Sequence, residues 1–169
     1  MGDSLMKSKN AFDEAKIPVK VALLTNMVPP YRLPLYEALQ KKVRSLKIFI
    51  STPMEPNRSW KVNWGLLDVK VQKTITRRYI SSHPSGFREV LYRHYPISTY
   101  TDLVNMRPQI IISCEMGFRS LAACVYSQIH AKSKFLLWLT ISERTELNRS
   151  TIQKRIRKFL LDRSDAIIV

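Results

Sequence analysis

Between Val19 and Val169 short, apolar, β-branched runs alternate with helix-like stretches, and this alternation limits the possible folds more than any other feature of the chain. The first unit is VKVALLT (19–25), a loop, and LPLYEALQKKV (33–43), where Leu35, Tyr36, Leu39 and Val43 recur at helical spacing. LKIFIS (46–51) is a second strand, closed by a breaker cluster around Pro53 and Pro56. QIIISC (109–114) and KFLLWL (134–139) are apolar almost throughout, as strands covered on both faces are. FRSLAACVYSQIH (118–130) lies between them and reads as a helix with small residues on one face. TYTDLVNM (99–106), capped by Ser98 or Thr99, predicts a short helix that stops before Pro108. TIQKRIRKFLLDR (151–163) sets Ile152, Ile156, Phe159 and Leu160 on one stripe, and AIIV (166–169) reads as a last strand of the buried type. The expectation is an α/β protein: a Rossmann-like, doubly wound, mainly parallel sheet with helices on both faces.

The stretch from Trp60 to Tyr95 fits this alternation least well. VKVQ (69–72) alternates like a strand, FREVLYRHY (87–95) suits a strand or a short helix, and Ser81 to Gly86 mark a turn between them. At the other end, MGDSLMKSKNAFDEAK has no apolar centre of the signal-peptide kind. Residues 1–17 are therefore expected to be a polar, flexible lead-in to a domain spanning 18–169. No apolar run approaches the ~18 residues of a membrane-spanning helix, so a cytoplasmic location is expected. The chain stops on a strand, which suggests a piece cut from a longer protein.

In such a sheet the functional loops leave the carboxyl ends of the strands, here starting at Asn26, Ser51, Glu115 and Thr140. The first loop, NMVPPYR, has no glycine, whereas dinucleotide-binding loops need glycines to let a pyrophosphate approach the backbone. That counts against a nicotinamide or flavin cofactor, and against a nucleotide phosphate on this loop. Asn26, Tyr31 and Arg32 suit hydrogen bonding and stacking against a polar ligand such as a sugar; equally, Tyr31 and Arg32 suit packing of the helix start. In the loop after residue 114, Glu115 is delivered to the rim as a base or a hydroxyl acceptor, and Gly117 allows close approach of a ligand. Arg119 follows on the same loop, and Glu115 would alternatively complement a helix dipole. Thr140 and Glu143 come from the loop after KFLLWL. Trp138 reads as core, while Trp60 and Trp64 are candidates for stacking or for covering an apolar edge.

Cys114 and Cys124 have no partner at ligand spacing, and His83, His94 and His130 form no catalytic or metal pattern, so no metal is expected. The formal net charge of +15 attracts polyanions, whether nucleic acid, anionic lipid or phosphorylated small molecules. Dispersion of the charge, with no interleaved aromatic/basic motif, weighs against nucleic acid.

VALLTNMVPPYRLPLYEAL resembles the first strand, loop and helix of family-4-type glycosyltransferases of the GT-B fold. The resemblance continues through RPQIIISCEMGFRSLAACVYSQIHAKSKFLLWLT and ends with LLDRSDAIIV, which is similar to the segment before these enzymes cross to their second domain. It implies that this chain is the N-terminal, acceptor-side half of a retaining, hexosyl-type transferase acting without a metal. The nucleotide-sugar donor would be held by a C-terminal domain carrying a Glu-x7-Glu motif. No cofactor would sit in this half, which would be inactive alone. Many family members have a histidine after the strand matching KFLLWL; here Leu139 and Thr140 stand there, which leaves Glu115 and then Glu143 as the expected catalytic groups. The acceptor would be a glycan or a lipid-linked, membrane-bound molecule, as in cell-envelope polysaccharide synthesis. Helix 151–163 with Arg77, Arg78, Arg88 and Arg93 would then face an anionic membrane at its inner surface, each near-surface charge gaining ~1 kcal/mol. The competing expectation is a basic Rossmann-like nucleic-acid-binding module or a non-catalytic interaction subunit.

Overall fold

In a computed structural model, residues 16–82, 86, 88–139 and 149–169 are described. The strands form where the sequence is richest in apolar β-branched residues: β1 (Ile17–Thr25), β2 (Val43–Ile50), β3 (Asp68–Val71), β6 (Ile110–Ser113), β7 (Lys134–Trp138) and β8 (Ala166–Ile168). They pair in the order β3-β2-β1-β6-β7-β8, and every pairing is parallel. With the hairpin of β4 (Thr74–Ser82) and β5 (Arg88–Pro96) set aside, this is the doubly wound order, third-second-first-fourth-fifth-sixth. The chain reverses its direction of winding between β1 and β6.

Alternation along each strand sorts the core into two halves. Val21, Leu23, Ile48, Ile50 and Ile112 face α1 (Leu33–Lys42), whose Tyr36 is fully buried among them. Ala22, Leu24, Phe49, Ile111, Phe135 and Leu137 face the other way, under Leu103 of α2 (Thr99–Met106) and Ala123 and Tyr126 of α3 (Phe118–Ile129). Leu160 of α4 (Thr151–Arg163) joins that second half. Helices thus cover both faces, and each large apolar side chain so buried contributes about 1.5–3 kcal/mol. Among the described residues no helix is long and apolar enough to cross a membrane.

Four local outcomes depart from the sequence expectation or add to it. Val43 leaves the helical stripe: α1 ends at Lys42, and Val43 is already extended and paired with Ile17. The segment 74–82, which carries no alternating apolar pattern, is a full strand paired antiparallel with β5. Cross-strand pairing supplies what its TITRRYISS sequence does not advertise, and it settles 88–96 as strand. β8 takes the sheet edge with all three residues exposed, although its composition suggests burial. Finally, α4 opens on a capping box: Ser150 Oγ accepts from the Gln153 N–H at 3.3 Å and Gln153 Oε1 accepts from the Ser150 N–H at 3.0 Å.

One buried carboxylate ties β3 to α2. Asp102 accepts from Lys70 Nζ at 2.7 Å, Gln72 Nε2 at 3.0 Å and Ser98 Oγ at 2.8 Å. Gln72 is buried and cannot turn to water if the carboxylate is lost. Asp102→Leu is expected to lower unfolding free energy by about 2–4 kcal/mol in urea denaturation. A loss below about 1 kcal/mol would mean that this network is dispensable.

Candidate functional site

The carboxyl ends of β1, β2 and β6 meet at the point where the winding reverses, where open α/β sheets place their ligands. Asn26 directly follows β1, and its carbonyl accepts from the N–H groups of Ser51 and Thr52 at 2.9 and 3.2 Å. Those bonds pin the end of β2 to the end of β1. Cys114, after β6, donates to Leu24 of β1 at 3.0 Å. Ser120 Oγ contacts both Ser113 Oγ, at 2.8 Å, and the Glu115 carbonyl, which sets α3 directly over the end of β6.

Beneath this rim lies Arg119, the largest fully buried side chain among the described residues. Its Nη2 donates to Asn26 Oδ1 at 3.2 Å and to Ser51 Oγ, while Nη1 stands 3.7 Å from Glu115 Oε1. A single guanidinium therefore links three strand ends. Burial pushes its pKa down, yet an arginine starts so far above neutrality that it stays charged. Nε and Nη1 find no hydrogen-bond acceptor among the described residues. Arg119 was expected at the ligand surface; it lies one layer behind it and acts on the rim through Asn26 and Glu115.

Two cavities open above that layer, with Asn26 in the wall of both. The larger, about 500 Å³, is bounded by Glu115, Gly117 and Phe118, by Tyr79 and Arg93 of the hairpin, and by Arg157 of α4. Tyr95 of β5 meets Phe118 edge-on at 6.1 Å between centroids, which seats the hairpin on the start of α3. The smaller, about 230 Å³, is bounded by Tyr31, Arg32, Arg58 and Trp60. Tyr31 is 78% exposed there, so it does not pack the helix start. Arg32 does pack, with its guanidinium 5.1 Å from the centre of the Trp138 ring. Trp60 lines the smaller cavity, whereas Trp64 packs against the core. Thr140 and Glu143 lie outside the described residues.

His94 reaches the larger cavity too, although its position in the sequence gives no sign of partners. Its Nε2 lies 2.9 Å from Glu55 Oε1, and its Nδ1 lies 2.9 Å from Thr76 Oγ1. The three residues come from separate segments, and only the pairing of Thr76 with His94 across the hairpin brings the first of them in. Among the described residues no cluster of His, Cys, Asp or Glu is suited to a metal ion.

Burial pushes the Cys114 thiol from 9.0 up to about 11 and the Tyr36 hydroxyl from 10.0 up to about 12. Both groups stay protonated in the folded chain at a pH where the unfolded chain has released its protons. The native state then binds more protons, so stability is fully present below about pH 9 and is lost as pH rises through the folded values. The expected outcome is a melting temperature that falls steadily between pH 9.0 and about 11. Cys114→Ala should flatten that fall, by on the order of 2 kcal/mol at the alkaline end; equal slopes in both proteins would refute the assignment to Cys114.

Comparison of the chain with protein-family models, curated proteins and solved structures found no match.

Proposed function

We propose that this chain is the acceptor-binding half of a nucleotide-sugar-dependent glycosyltransferase. The observation that carries the reading is the 500 Å³ cavity at the reversal of the sheet, with Asn26 and Glu115 on its rim and no glycine-rich phosphate loop after β1. A cavity of that size holds one or two sugar rings. Its aromatic wall of Tyr79, Tyr92, Tyr95 and Phe118 suits the apolar faces of sugars, and Asn26 and Glu115 suit their hydroxyls.

In this reading the acceptor lies over Gly117. Glu115 accepts a hydrogen bond from the attacking hydroxyl, with the Arg119 guanidinium 3.7 Å behind that carboxylate. Tyr31 and Arg32, in the wall of the smaller cavity, extend the acceptor contacts. His94, held through both ring nitrogens by Glu55 and Thr76, fixes the hairpin side of the same cavity. The donor nucleotide and the retaining transfer step belong to a second domain. A glycan or lipid-linked acceptor at the inner membrane surface fits the net charge of +15.

The test is saturation-transfer NMR on the 169-residue chain with a panel of methyl hexosides, alongside uridine and guanosine. At least one hexoside should give saturable signals, and Asn26→Ala should weaken it about tenfold, the effect of a lost hydrogen bond in an enclosed site. Recognition of the free nucleosides with no hexoside signal would overturn the reading, because it would put donor chemistry in this half.

A further inference from the structure

The same cavity carries a charge pattern that a neutral sugar does not need. Arg93, Arg149 and Arg157 line it, and Glu115 is the one carboxylate among its described lining residues. The N-terminus of α3 opens onto it through Gly117 and Phe118. No side chain caps that helix, and no acidic residue lies in its first turn, so the positive end of its dipole is uncompensated from within. Directly behind is Arg119, completely buried, with Nε and Nη1 lacking hydrogen-bond acceptors among the described residues.

Glu115 sits where these features converge. Its carboxylate lies 3.5 Å from the position a Cβ on Gly117 would take, over the start of α3. It stands 3.7 Å from Arg119 Nη1, well beyond the 2.7–2.9 Å or so of a charge-assisted hydrogen bond. It is also 28% exposed, so it can swing out to water at little cost. A loosely held carboxylate over a helix N-terminus and a buried, under-bonded cation is a stand-in for a stronger anion.

We propose that the cavity binds a ligand bearing a phosphate or pyrophosphate, whose anionic group displaces the Glu115 carboxylate above the N-terminus of α3 while Arg93 closes on it from the hairpin. Built on the acceptor-cavity reading, this inference makes the acceptor a phosphorylated molecule, whose anionic group turns the displaced Glu115 carboxylate outward to the acceptor hydroxyls. Arg119 is a positioning residue: it provides the fixed positive field and holds Asn26 and Ser51 in place. The remaining wall, with Met116, Leu121 and Ile156, is apolar and would take the uncharged body of the same ligand.

Calorimetric titration of the full chain with inorganic pyrophosphate tests this, at a fixed ionic strength of about 0.15 M so that diffuse charge attraction is screened. One equivalent should bind saturably. Arg93→Gln, at an exposed position, should weaken binding about tenfold, whereas Lys41→Gln on α1 should leave it unchanged. Glu115→Gln and Glu115→Ala should both tighten it severalfold, since each removes the competing charge. Equal affinities for the parent chain and Arg93→Gln, or weaker binding by both Glu115 variants, would overturn the proposal.

Vesicles of phosphatidylcholine with and without phosphatidylglycerol distinguish the sources of phosphate. Release from anionic vesicles by pyrophosphate, with loss of vesicle binding in Arg93→Gln, identifies a lipid headgroup in this cavity. Pyrophosphate binding with no effect on vesicles identifies a free phosphorylated ligand. Neither measurement uses a donor or a transfer reaction. A saturable pyrophosphate site without any hexoside signal would thus defeat the transferase reading alone, and hexoside binding without pyrophosphate binding would defeat this inference alone.

Discussion

A guanidinium with no exposed surface sits where β1, β2 and β6 end, and the geometry of the rim depends on it. The placement is unfavourable on two counts. Taking a cation out of water costs several kcal/mol even after relaxation, and Arg119 occupies the second position of α3, the positive end of that helix. Its compensation is partial: two hydrogen bonds from Nη2 and one carboxylate at 3.7 Å. An apolar side chain of similar volume would serve folding alone at least as well. A residue kept in such a position is better explained by what it does for the loops above it, which it holds in one register, than by the stability of the sheet below.

Around that fixed point the cavity is assembled from parts far apart in the chain. The parallel sheet supplies Asn26 and Glu115, the hairpin after β3 supplies Tyr79 and Arg93, and α4 supplies Gln153 and Arg157. Gln153 belongs at once to the capping box of α4 and to the cavity wall, so the helix start is fixed in the same place where it borders the cavity. The hairpin extends the wall because β4 begins just beyond the carboxyl end of β3, the same end of the sheet as the rim. Seated by the edge contact of Tyr95 with Phe118, it builds a side that the sheet itself has no strand to provide.

The sheet was legible because its strands carry their own signal. Runs such as VALL and QIII are apolar on both faces and alternate with helical stripes, and local composition dictates this directly. The rim positions follow from topology, since Asn26 and Glu115 come just after the carboxyl ends of β1 and β6. What escaped was everything decided by contacts between distant segments. TITRRYISS carries no clear strand signal of its own and becomes a strand through its pairing with REVLYRHYP. His94 gained its partners Thr76 and Glu55 through that same pairing. Arg119, a charged residue at the start of a helix, looked like surface, and nothing in its neighbours along the chain announces that three strand ends close over it.

The glycine-free loop after β1 and the anion-friendly start of α3 are two sides of one arrangement. A helix N-terminus binds anions through backbone N–H groups, and proline has none to offer. The approach to α1 runs through Pro29 and Pro30, and Pro34 stands within its first turn, so at the helix that usually receives a phosphate the donors are partly removed. α3, the other helix that starts at the reversal of the sheet, begins after Gly117, with no proline in its first turn and a buried arginine beside it. The positive potential of the rim is thus shifted across the reversal, from the strand that opens the sheet to the strand that winds away from it. A ligand drawn to that potential lies against α3, α4 and the hairpin, not over α1. That position leaves the Asn26 side chain facing it and the Tyr31–Arg32 turn free to contact whatever is joined to it on the other side.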